Sequence, residues 1–67
     1  MDKEFFEKSL RKQVSVDYTA GGRNSFVRGE VLKVTDKFVT IANEDMMVSI
    51  LYKSITSART LTAKECE

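Results

Sequence analysis

The chain has no histidine and a single cysteine, Cys66, among its 67 residues. The absence of histidine removes the commonest general base near neutral pH and the commonest nitrogen ligand for metals. One cysteine cannot close an intrachain disulfide, and without histidine it cannot complete a zinc site. Only Lys64 stands near Cys66 as an activating neighbour, and a cysteine in that setting is ordinarily inert. No apolar run approaches the roughly 20 residues that a membrane-spanning helix needs. Asp2, Glu4 and Glu7 are mixed with lysines at the start, which a secretory signal would not tolerate. Gly21-Gly22 precedes no helical pattern and has the spacing of neither nucleotide-binding loop. The expectation is a reduced, cytoplasmic protein that is not an enzyme, with no catalytic residue, no cofactor, no metal and no membrane association.

What is present fits one small soluble domain, 42% hydrophobic and 31% charged. A chain this short covers its apolar surface poorly, and disulfides, a structural metal or oligomerisation usually compensate. With the first two excluded, oligomerisation remains. The net charge is +1, yet the stretch from Lys8 to Lys33 carries +4, with Lys8, Arg11, Lys12, Arg23, Arg28 and Lys33 against Asp17 and Glu30. Such a stretch attracts phosphates, or forms a solvated face.

Residues 2–12 are predicted to be a helix, capped by Asp2, acidic in its first turn and ending on Arg11 and Lys12. Phe6 and Leu10, with Phe5 beside them, give it one narrow apolar stripe, so it is a lid lying on something else. The period then changes to two. Val14, Val16 and Tyr18 alternate with Ser15, Asp17 and Thr19 as a half-buried strand. A turn over residues 20–24 leads to a second strand, about 25–34, which Gly29 bends. Thr35-Asp36-Lys37 connects to a third strand, 38–42, with Asp36 bonding its own backbone in that turn. Asn43-Glu44-Asp45 is a further turn. A fourth strand over 46–52 carries apolar residues on both sides, and a fifth covers 54–60. Residues 61–67 read as a frayed tail. The fold class is therefore all-β, a five-stranded barrel of about residues 13–60 with one N-terminal helix.

Several stretches carry a family resemblance. Phe5-Phe6 through Leu10-Arg11-Lys12 is similar to a helix with an apolar pair and trailing basic residues. Gly29-Glu30-Val31 through Asp36-Lys37-Phe38-Val39 resembles a first signature, with a glycine in strand two and an Asp-x-Phe turn opening strand three. Leu51-Tyr52-Lys53-Ser54-Ile55-Thr56 resembles a second, a Tyr-Lys pair just before an isoleucine. These are the signatures of the Sm-like family, and within it the bacterial RNA chaperones are the most similar. Lys37 and Ser54 stand where those chaperones have glutamine and histidine.

The resemblance implies a homo-oligomeric ring, a hexamer or similar, in which strand four of one subunit pairs with strand five of the next. It also implies single-stranded RNA as partner. Phe38 would stack a base beside Lys37, Tyr52 and Lys53 would lie near the pore, and Arg11 with Lys12 would form a basic rim. The alternative is an oligomeric SH3-like barrel that serves as a protein-interaction or assembly module and binds no nucleic acid.

Overall fold

A computed structural model describes residues 3–61. One short helix, α1 (Lys3–Lys8), precedes β1 (Gln13–Ala20), β2 (Arg23–Val34), β3 (Phe38–Ala42), β4 (Met47–Leu51) and β5 (Ile55–Thr60). A single 3-10 turn, Tyr52–Ser54, joins β4 to β5. The strands form one antiparallel sheet in the order β4-β3-β2-β1-β5. Among the described residues no ladder joins β4 to β5, so the sheet stays open where the sequence pattern predicts a closed barrel. Each edge strand therefore keeps one unpaired side.

Period-two patterning accounts for the core. Val14, Val16, Val27, Val31, Val39, Ile41 and Ile50 point inward and are buried, joined by Phe6, Tyr52 and Ile55. The β1–β2 connection is tighter than residues 20–24. Ala20 pairs with Arg23, leaving Gly21 and Gly22 as a two-residue loop with φ of +59° and +78°. Two positive φ values in succession match the right-handed twist of a hairpin, and glycine adopts them without a Cβ penalty.

Gly29 has a different role from the one predicted. The break in register lies two to four residues further on, between Val31 and Lys33. There Leu32 is 37% exposed while Val31 is fully buried, and this bulge explains why Val27 and Val31 share one phase and Val34 the other. Gly29 instead allows β3 to come close. A Cβ there would lie 2.8 Å from the carbonyl carbon of Ala42 and closer still to its oxygen.

The helix is shorter than predicted, ending at Lys8, and the expected Asp2 cap lies outside the described residues. Arg11 stops it by adopting φ of +68°, where its N–H donates to Val31 O at 2.8 Å. Arg11 and Lys12 therefore sit in the turn into β1, not in a last helical turn. The same turn swings Leu10 out, 47% exposed, so Phe6 docks with Phe5 as its neighbour and without Leu10. Phe6 is fully buried, edge-to-face with Phe5 at 5.0 Å and stacked on Tyr52 at 5.8 Å. Six helical residues would not persist alone in water; this burial keeps them folded. The tail also begins later than predicted. Leu61 is buried and donates its N–H to Gln13 O at 2.9 Å, while residues 62–67 of that expected tail lie outside the described ones.

Candidate functional site

The loop that carries Lys37 and opens onto Phe38 is fixed from several directions. Thr35 Oγ1 accepts from the N–H of Lys37 at 3.2 Å and of Phe38 at 3.0 Å, and donates to Phe38 O. Thr35, not Asp36, thus supplies the side chain that bonds this turn's backbone. The Tyr52 hydroxyl donates to Thr35 O at 2.7 Å, and the Tyr52 N–H to Lys37 O at 3.1 Å. Burial raises the Tyr52 pKa above its ordinary value, so the hydroxyl keeps its proton for that bond. Phe6 backs the ring from below. One side chain thus joins the α1 core packing to the loop geometry.

Asp36 reaches across to the helix. Lys3 Nζ donates to its Oδ1 at 2.5 Å. That hydrogen bond and the attached charge hold the Asp36 carboxyl below its ordinary pKa and raise the Lys3 ammonium above its own. Both groups are exposed, so the pair contributes little to stability. Its sign with pH is nonetheless defined. A carboxyl lowered on folding stabilises above its unfolded pKa, 3.8 for the free group, and that contribution is lost as pH falls through the lower folded value. The small difference in thermal midpoint between the native chain and Asp36→Asn is therefore expected at about pH 6 and should vanish in strong acid. A difference that persists undiminished near pH 2, roughly below both values, would mean that the carboxylate is not what tethers Lys3.

Beside this loop lies a concavity of about 440 Å³ lined by Asp36, Lys37, Leu51, Tyr52 and Lys53. Three residues singled out from sequence, Lys37, Tyr52 and Lys53, meet here. Lys37 and Lys53 are exposed, while Tyr52 is only 8% exposed. The tyrosine is thus a core support for the loop and has no free ring face to offer. Phe38 borders the concavity, half-buried and opposite Leu51 across the β3–β4 ladder. Leu51 itself is 44% exposed and extends the apolar wall that Phe38 begins. Because Asp36 is engaged by Lys3, its charge is offset where the two exposed lysines present theirs.

Arg11 and Lys12 are not part of this concavity. Both are exposed in the α1–β1 turn, and Arg11 Nη1 donates to Glu30 Oε2 at 3.2 Å.

The sequence pattern alone does not single out Phe26. It is 68% exposed on β2, directly opposite Asp17 of β1. The available signal was register: a two-glycine loop fixes the β1–β2 pairing, and Val27 facing inward forces Phe26 outward. Among the described residues no group of histidine, cysteine, aspartate and glutamate is arranged to hold a metal. Nor is any described helix long and apolar enough to cross a membrane. No protein family, curated protein or solved structure is matched by this chain.

Proposed function

We propose that the protein is a single-stranded RNA-binding protein of Sm-like type that works as a closed homo-oligomeric ring. The observation that carries this reading is the concavity beside Phe38, where two exposed lysines flank an apolar wall. An aromatic face stacks any unpaired base, and lysines answer the backbone charge, which together make a sequence-tolerant single-strand site. The ring rests on the open sheet. The free edges of β4 and β5 are unsatisfied rows of backbone donors and acceptors, and exposed edges invite pairing with another chain. Pairing β4 of one subunit with β5 of the next is head-to-tail, and such an interface ends in a ring when its rotation closes. Met47, 70% exposed on β4, lies on that edge strand. Each subunit would contribute one Phe38–Lys37–Lys53 site, with Arg11 and Lys12 as a separate basic rim for longer RNA.

Three variants separate these roles. Phe38→Ala is expected to weaken a short U-rich oligonucleotide by roughly 1–3 kcal/mol at every salt concentration. Lys53→Ala should flatten the dependence of log K on log salt by about 0.7 for each phosphate no longer neutralised. Arg11→Ala with Lys12→Ala should spare short oligonucleotides and weaken only longer RNAs. Fluorescence anisotropy across a salt series reads all three, once light scattering has confirmed intact assembly. Loss of assembly in Phe38→Ala, with RNA affinity absent in the native chain, would favour the interaction-module reading instead.

A further inference from the structure

The outer face of β1, β2 and β5 holds a second concavity, of about 410 Å³, lined by Asp17, Asn24, Ser25, Phe26 and Thr56. It shares no residue with the Lys37–Lys53 site. Phe26 and Asp17 are directly opposed in the ladder, one residue before the inward-facing Val27 and one after Val16, so both side chains leave the same outer surface. The Asp17 carboxylate is oriented: Ser57 Oγ donates to its Oδ2 at 2.8 Å. Thr56 Oγ1 donates to the Asp17 backbone carbonyl at 3.1 Å, pinning the β5 side of the concavity. Among the described residues no cation lies within ion-pair distance of Asp17.

A single exposed phenylalanine is ordinary on a protein surface. One set against an oriented carboxylate without a cationic partner, in a concavity whose lining includes no lysine or arginine, has a specific chemistry. We propose that this is a docking site for an arginine side chain presented by a partner protein. The planar guanidinium stacks on the Phe26 ring while its N–H groups donate to Asp17 Oδ1, and the amide and hydroxyls of Asn24, Ser25 and Thr56 replace its hydration shell. Charge decides against nucleic acid here, because the only charged lining group is a carboxylate, which repels phosphates. This surface is independent of the RNA site, since the two have no residue in common. Ring closure through the β5 edge would use backbone groups and leave the outer face of Phe26 clear.

The test is a titration of the full-length, ¹⁵N-labelled chain with the blocked tripeptide Gly-Arg-Gly, its citrulline counterpart, and adenosine monophosphate. The arginine peptide is expected to give saturable amide shifts at Asp17, Asn24, Phe26 and Thr56 with a millimolar dissociation constant. The neutral citrulline peptide should bind about tenfold more weakly, the loss expected for removing one charged hydrogen bond. Phe26→Ala and Asp17→Asn should each abolish the saturable shifts while the rest of the spectrum stays in place and short-RNA affinity is unchanged. Equal binding of the citrulline peptide, shifts from adenosine monophosphate in place of the arginine peptide, or no saturation by either would overturn the proposal. The native chain alone decides between arginine, citrulline and nucleotide, so the outcome does not depend on either variant folding.

Discussion

Replacing Phe6 by alanine is expected to lower the stability of the chain by about 3–5 kcal/mol, the usual cost of deleting a fully buried aromatic ring. Phe6 has no exposed surface, and its ring meets Phe5 and Tyr52. Removing it leaves a cavity and frees α1, whose described turns hold no other fully buried apolar side chain. Tyr52 loses its stacking partner at the same time, so the bond from its hydroxyl to Thr35 O should weaken. Urea denaturation is expected to show the lower midpoint, and amide exchange should speed up at Lys37 and Phe38. Phe5→Ala, at a partly buried position, should cost clearly less. An unchanged midpoint in Phe6→Ala would mean that the helix is not docked.

Gly29→Ala is the second change expected to have a large effect. The added Cβ would meet the Ala42 carbonyl group, with its carbon at 2.8 Å, and Ile41 Cγ2 at 3.0 Å. A flexible side chain moves aside at little cost, but Ala42 offers backbone, in the stretch where Glu30 pairs with it. β2 and β3 must separate, and overpacking of this kind costs roughly 1–3 kcal/mol, occasionally more. Gly22→Ala meets open space and suffers only from its φ of +78°, about 1–2 kcal/mol for a left-handed residue with a Cβ. Thermal midpoints of the two variants compared side by side test the distinction. A Gly29→Ala variant as stable as the native chain would contradict the close approach of the strands.

The strands are legible in the sequence because alternation has only one solution once a face is buried. Val14, Val16, Val27, Val39, Ile41 and Ile50 follow from it directly. The end of the helix is not legible, because Arg11 takes a left-handed conformation without being glycine or asparagine, and its residue type gives no stop signal. Leu61 resembles tail because one hydrogen bond to Gln13 and burial against a distant element decide its place, and neither has a local pattern. The same holds for Lys3 and Asp36, 33 positions apart. Lys37 and Lys53 come together as expected because each flanks a turn. Tyr52 reads as an available ring only while its neighbour Phe6, on another element, is out of view. Whether the sheet closes also depends on something outside local sequence, namely what pairs with the edges of β4 and β5.

Those two edges decide the assembly. A small chain without disulfide or metal, ending its sheet on two unpaired edges, is expected to gain its remaining stability from copies of itself. The lysine-flanked concavity is expected to serve RNA once the ring is formed. Native mass spectrometry of the purified chain with a short U-rich oligonucleotide at low salt reads both properties together. One closed oligomer, about six subunits or a similar small number, is expected to carry bound oligonucleotide. A chain that remains a monomer and binds no RNA under those conditions would contradict both the ring and its RNA site.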